Sequence, residues 1–379
     1  MMEAVRHVGA DADRRSLETE ALRRLPDELA QALIATGLLR AWVPKVYGGA
    51  EADVLTVLDA IEELSWHDGA TGWCAMIGAT TSLMSARLAP EWAEKIYGDP
   101  AAATAGFAMP AGSARPVDGG LVVTGTWQWG SFTQHCTWIG GGCWIVDATG
   151  ARAPRDDGLL APFVFFEPAQ VDLLDTWHVA GLKGTGSTDY SVTEAFVPEG
   201  RWAQVMATPK VDGPLYRFPL LGALSLGVCS VALGLARRAQ HELVELASSK
   251  KPALSGRTLA ERAVVQAEVA RAEAAWRSAR AFVRETVEGA WSAAGTGDEL
   301  TDEHKRRLRL AATDATWRAA AAVDVLYSAG GGSAIHESSP LQRVFRDVHV
   351  ATQHAMVAAR TYEPLGRMAL GLPTDASQL

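Results

Sequence analysis

Three residues in one short stretch are spaced so that they could act together. In Gly125-Thr-Trp-Gln-Trp-Gly-Ser-Phe-Thr-Gln-His135 the indoles of Trp127 and Trp129 and the hydroxyl of Ser131 fall at every second position. In a strand that spacing places side chains on one face. Such a row can pack a core, or it can form a wall against a planar ring ligand with a hydroxyl at its edge. His354, in Thr352-Gln-His-Ala-Met356, is the second candidate, in a stretch without an acid. An imidazole titrates near neutral pH and can give or take a proton, although a histidine among Ala and Val is also a common core residue. His349, a turn earlier, is a weaker candidate. His135 and His178 read as structural residues at strand ends, and Glu337 as a solvated loop acid.

Composition removes several other chemistries. Net charge is −9 and no basic run exceeds Lys305-Arg-Arg307, which disfavours a nucleic-acid groove. The four cysteines (Cys74, Cys136, Cys143, Cys229) form no CxxC and no framework, so zinc and structural disulfides are disfavoured and a reducing cytoplasm is expected. The polar stretch from Met1 to Arg15 lacks an apolar signal core. Leu220 to Ala236 is apolar but short for a membrane span, and Arg237-Arg238 follow at once, so it reads as a buried helix. There is no GxSxG, Walker loop, HExxH or Rossmann GxGxxG. Gly184-Thr-Gly-Ser187 has no following helix and reads as a tight turn. Without a nicotinamide motif, a redox cofactor would be a flavin or would arrive already reduced.

The elements that must position these residues fall into three regions, 1–100, 101–208 and 209–379: helices read from about residue 16 to 98 in the first, strands in the second and helices again in the third. In the first, Leu22, Leu25, Leu29 and Leu33 recur at helical spacing, and Asp53–His67 is amphipathic. In the second, short apolar runs such as Leu121–Thr124 and Tyr190–Val197 alternate with turns, as in a small barrel or sandwich. In the third, Leu220–Ser249, Leu259–Ala293, Asp302–Ala329 and Leu341–Ala369 read as a four-helix bundle. The class is α+β, mostly α.

Four segments in this order resemble the acyl-CoA dehydrogenase fold over about residues 20 to 370. They are Phe107-Ala-Met-Pro-Ala-Gly-Ser-Ala114, Gly125–Trp138, Asp175–Ser187 with Phe196-Val-Pro-Glu199, and Gly331-Gly332 with Ser339-Pro-Leu-Gln-Arg343 and Arg346-Asp347. A dehydrogenase of this fold needs a carboxylate base shortly after the Arg-Asp pair, and here that place holds His354; the second place used by some members, near Leu224, is apolar. The pattern is instead similar to the oxygenase components of two-component flavin monooxygenases. That resemblance implies reduced FMN or FAD delivered by a separate NAD(P)H:flavin reductase, O2 adding at flavin C4a, and hydroxylation of an aromatic or amine-bearing metabolite. The alternatives are a dehydrogenase with an unrecognised base and a catalytically silent homologue.

By the same resemblance Ser131 would bond the flavin N5 edge and Trp129 would stack on the ring. Met109 and Ser113 would touch the flavin from the facing strand, and Gly331 and Gly332, in the segment that resembles the C-terminal helix pair, would also bind it. His354 would donate a hydrogen bond or remove a substrate proton, its pKa lying near working pH. Trp73, Met76, Phe218 and Met356 would line the substrate pocket, and the chain would assemble as a homotetramer. Two departures stand out. Relatives usually have Ser-Gly where Ser131-Phe132 occurs here. Lys250-Lys-Pro-Ala-Leu-Ser-Gly256 only loosely fits the segment that lends a basic residue to a neighbouring subunit's flavin.

Overall fold

The computed structural model describes residues 1–379 except 254, 298–299 and 377–378. The helices α1 (Met2–Arg14), α2 (Ser16–Leu22), α3 (Asp27–Ala35), α4 (Val54–His67), α5 (Gly69–Ser82) and α6 (Pro90–Tyr97) come first. The polar N-terminus is thus a helix, which its valines allow: Val5, Val8 and Ala12 at three-four spacing are buried, and α1 packs on α4. Asp53 caps α4 by accepting Thr56 N, and Asp68 caps α5 by accepting Thr71 N and Oγ1, both at 2.8 Å.

One seven-stranded sheet follows, with β1 (Thr104–Val117), β2 (Gly120–Gly130), β3 (Trp138–Ile145), β4 (Phe163–Phe166), β5 (Asp172–Leu174), β6 (Thr188–Pro198) and β7 (Trp202–Ala203). Its order is β5-β6-β2-β1-β3-β4-β7, with β1 and β3 parallel. The β1–β2 hairpin turns on Asp118-Gly119, where Gly119 has φ +75°.

Trp127 and Trp129 do not share a face. The β2–β6 pairing shifts register between Trp127 and Gly130, and Trp129 has φ +60°. This bulge turns the next side chains over. Trp127 is fully buried: it stacks on Tyr190 at 5.4 Å, tilts against Phe166 at 5.5 Å and donates Nε1 to Gly142 O at 2.7 Å. Gly112 and Gly141 make room for it, since a Cβ on either would lie 2.5–2.7 Å from the indole. Trp129 is 58 % exposed.

The C-terminal region begins with α7 (Pro214–Arg217) and continues as α8 (Leu220–Ser249), α9 (Ala263–Thr296), α10 (Asp302–Gly330), α11 (Pro340–Ala351) and α12 (Tyr362–Ala369). The α8 helix is apolar and long enough to cross a membrane, but 83% of its apolar window is buried inside the molecule, which makes it a core helix. It packs on α4, α5, α10 and α11. Glu62 of α4 is buried and takes Arg237 of α8 at 2.8 Å and Arg280 of α9 at 2.7 Å, locking the N-terminal helices to the bundle. The expected helix over 341–369 is broken at 352–361. Pro364 lacks an N–H and crowds the preceding turn, so it serves only near the start of α12. His354 lies in this break rather than within a helix.

Trp127→Ala is expected to destabilise the chain by about 3–5 kcal/mol through the cavity it leaves, whereas Trp129→Ala should change stability by under ~1 kcal/mol. Urea unfolding midpoints of the two variants check this directly; equal losses would place both indoles in the core.

Candidate functional site

Ser131 follows the bulge at the end of β2 and is 5 % exposed. Its Oγ accepts from Trp73 Nε1 of α5 at 3.1 Å and lies 2.6 Å from Ser187 Oγ. Ser187 Oγ in turn lies 2.6 Å from Thr185 Oγ1, which donates to Leu182 O at 2.8 Å. A row of three hydroxyls therefore runs from the β2 end into the turn at 182–187.

That turn is tied to the bundle by the Arg-Asp pair of α11. Asp347 Oδ1 accepts Leu182 N at 2.5 Å, while Arg346 reaches the Ala180 carbonyl and, at 2.8 Å, Glu20 of α2. Asp347 is buried, and burial pushes its pKa up to about 7 against the hydrogen bond from Leu182. A second buried acid, Asp68, is also pushed up by burial and is already committed to the α5 cap.

His354 meets this row through Trp73, whose indole contacts its ring edge-on at 5.6 Å. Met356 N donates to His354 Nδ1 at 3.3 Å, so the neutral ring carries its proton on Nε2. Burial, reinforced by the Arg309 guanidinium, lowers its pKa to about 4. The expectation of a pKa near working pH therefore fails: at pH 7 His354 is a neutral donor and a weak base. Arg309 itself donates to Met356 O at 3.4 Å.

On the outer side of Ser131 stands an aromatic wall. Trp129 is exposed and meets Phe107 edge-on at 5.8 Å, and Met109, two residues along β1, is 62 % exposed. Exposed apolar side chains beside a nearly buried hydroxyl suit a planar ring with one polar edge, so these residues fit a flavin.

The other expected residues scatter. Trp73 is 7 % exposed and serves the hydroxyl row; Met76 is fully enclosed against Gly227 of α8, where a Cβ would lie 2.5 Å from its Cγ. Phe218 is buried and packs on Trp291 of α9 at 6.3 Å, while Met356 stays half-buried beside His354. Ser113 is exposed on β1 and spends its hydroxyl on Thr124 O at 3.2 Å. Gly331 and Gly332 lie at the far end of the bundle, where Lys250 Nζ donates to Gly330 O at 2.6 Å and Gly330 adjoins Leu246. Nineteen helical residues from Gly227 to Leu246 rise about 28 Å, so these glycines do not join Ser131 within one chain. Of the segment 250–256, residue 254 lies outside the described residues.

His349 pairs with Asp324 at 2.8 Å on the bundle, His135 is held by Leu25 O at 3.0 Å, and Glu337 is exposed. His178 is not held at a strand end; it sits exposed in a loop between Arg23 and Asp175. Phe132 takes φ +66°, a conformation glycine adopts freely, and buries its ring completely, so the loop keeps a glycine-like turn. Sequence reasoning missed Thr185 and Ser187 as site residues; their signal was two hydroxyls flanking Gly186 (φ +56°) in a stretch read only as a turn. Two open grooves, of about 560 Å³ beside Arg262 and Asp324 and about 240 Å³ beside Arg23 and Trp177, contain neither Ser131 nor His354.

A titration of the His354 ring by NMR should give a midpoint near pH 4 and an Nε2–H tautomer at neutral pH. Any process needing the neutral ring should be level from pH 8 to about 5, and a midpoint near 6.5 would contradict the desolvation of the ring beside Arg309.

Comparisons with known proteins agree with this geometry. Residues 2–93 match the acyl-CoA dehydrogenase N-terminal domain and residues 226–359 its C-terminal domain. The chain is 35% identical to the indole-3-acetate monooxygenase of Pseudomonas putida, over 93% of this chain and 89% of that one. It superposes on the crystal structure of 3-HSA hydroxylase from Rhodococcus sp. RHA1 with TM-score 0.91 and 27% identity, covering 100% of this chain and 98% of the other. It also superposes on XiaF from Streptomyces sp., solved with FADH2 and glycerol, with TM-score 0.91 and 28% identity, covering 98% and 95%. The chain is an enzyme of the flavin-dependent monooxygenase family built on the acyl-CoA dehydrogenase fold.

Proposed function

We propose that this chain is the oxygenase half of a two-component system. It takes reduced FMN or FAD from a separate NAD(P)H-dependent reductase and hydroxylates an aromatic or amine-bearing small metabolite. The observation that carries the reading is the bridge made by Trp73, which joins a hydroxyl beside an exposed aromatic wall to a neutral imidazole. Bound reduced flavin supplies the two electrons that activate O2.

The chain's own residues do the rest. Trp129, Phe107 and Met109 cover a ring face. Ser131 meets its polar edge, and the enclosed surroundings of Trp73 and Met76 keep water from that side. His354, neutral with its proton on Nε2, donates a hydrogen bond toward the transferred oxygen and is too weak a base to ionise a phenol. Half-buried Met356, whose backbone N donates to His354 Nδ1, places a large apolar side chain two residues from that donor. The monooxygenase named for indole-3-acetate supports an aromatic ring as the guest.

Several further features support assembly of copies as a homotetramer: the exposed apolar residues Met109, Trp129 and Leu173, and the Lys250–Gly331 end of the bundle, which could complete a site only in another chain. Four buried free thiols suit a reducing cytoplasm.

The test supplies photoreduced FMN or FAD, labelled O2 and a panel of phenols, indoles and aryl amines. One labelled oxygen atom should enter a ring-bearing product. His354→Gln should cut product by about 100-fold while hydrogen peroxide rises in its place and reduced-flavin binding stays within about twofold of wild type. No labelled product from any class, together with bleaching of bound oxidised flavin by an acyl-thioester, would replace this reading with a dehydrogenase.

A further inference from the structure

We infer that Thr185 and Ser187 are positioning residues that set the chain's preference for reduced over oxidised flavin, by fixing the direction in which Ser131 hydrogen-bonds. The inference rests on the flavin site proposed above. It follows from counting protons along the row. Three contacts, Ser131–Ser187 at 2.6 Å, Ser187–Thr185 at 2.6 Å and Thr185–Leu182 O at 2.8 Å, are served by three hydroxyl protons. A carbonyl oxygen only accepts, so the Thr185 proton points to Leu182 O. Thr185 Oγ1 must then accept from Ser187, and Ser187 Oγ must accept from Ser131. No other assignment makes all three contacts hydrogen bonds.

Ser131 is left with its proton spent inward and one lone pair taken by Trp73 Nε1, which can only donate. Its second lone pair remains for a ligand, at a residue that keeps 5 % exposure. The hydroxyl therefore faces its ligand as an acceptor. A reduced flavin carries a proton on N5 and donates there; an oxidised flavin has a bare N5 lone pair and needs a donor. The row accepts the first and sets two lone pairs against each other in the second. The direction originates at a backbone carbonyl, which cannot reverse, three side chains away from the ligand. The three hydroxyls and the indole of Trp73 are all buried, so no water supplies a spare proton at low cost.

The experiment measures equilibrium binding of oxidised FMN and FAD, and anaerobically of the reduced forms, to the full chain. Wild type should favour the reduced form. In Thr185→Val, which keeps the shape and removes the hydroxyl, Ser187 is released to donate to Ser131, and the Ser131 proton becomes available outward. The ratio of oxidised to reduced dissociation constants should fall by about tenfold, the worth of one hydrogen bond inside a protein. The midpoint potential of bound flavin should drop by about 30 mV for that tenfold change. Ser187→Ala should act in the same direction by removing the acceptor for the Ser131 proton, and serves if the valine variant does not fold. Thr185→Ser should keep the wild-type ratio.

Equal loss of both affinities in the valine and alanine variants, with the ratio unchanged, would show a merely structural role and overturn the inference while leaving the flavin site standing. A wild type that binds oxidised flavin as tightly as reduced would also overturn it. A wild type that binds neither form would defeat the proposed site and the inference with it.

Discussion

The contact between the Asp347 carboxylate and the Leu182 amide, 2.5 Å, is the constraint on which the site depends. It joins the last helix pair of the bundle to a turn of the sheet region, and the residue beside it, Arg346, carries the same turn to Glu20 in the first helices. Gly181 sits where a Cβ would lie 2.8 Å from Asp347 N, so the close approach requires its bare backbone. Burial raises the Asp347 pKa toward neutrality, which means that its place in the fold is costly for the charged form and that the amide hydrogen bond offsets part of that cost. With Leu182 held, its carbonyl is held, and with it the direction of every hydroxyl out to Ser131.

Strain gathers at the same place. Trp129, Phe132 and Leu182 have φ of +60°, +66° and +50°, so three of the six positive-φ non-glycine residues among the described residues stand beside Ser131 or at the far end of its hydroxyl row. Each costs on the order of 1–2 kcal/mol. Phe132 and Leu182 are enclosed, and their burial offsets the cost. Trp129 stays exposed without that compensation, which fits an indole held ready for a ring that covers it. The left-handed turn at Phe132 also accommodates a phenylalanine where the resemblance led one to expect glycine: the backbone keeps a glycine-like turn and the side chain is stored in the core.

The order of helices, sheet and bundle was legible from texture, and the bounds of α8 match the helix read from the apolar run 220–236 and the three-four spacing that continues it to Ser249. The α1 helix was obscured by its charged residues, although Val5, Val8 and Ala12 carried the period. Two features of the site were hidden for a common reason: local rules assume regular backbone. Alternation put Trp127 and Trp129 on one face, and a single positive φ undid it. Helical spacing ran through His354, but α11 ends at Ala351, three residues short of it. Burial was equally beyond local reading. The low pKa of His354 comes from packing and from Arg309, forty-five residues away in the chain, and the use of Thr185 and Ser187 depends on a turn held by Asp347. The family resemblance named Ser131, His354 and Trp73, but gave Trp73 as pocket lining and not as the indole that touches both of the others.

The central claim is that Asp347 holds the 182–187 turn, and through it the Ser131 hydroxyl, in place. Amide hydrogen exchange in wild type and in Asp347→Ala tests it most directly. The account predicts that the variant loses protection at Leu182, Thr185 and Phe132, whose amides bond Asp347, Leu182 O and Thr185 O, while α8 and α10 keep theirs. Unchanged protection across 182–187 in a variant whose bundle is intact would contradict it, and would mean that the turn holds itself.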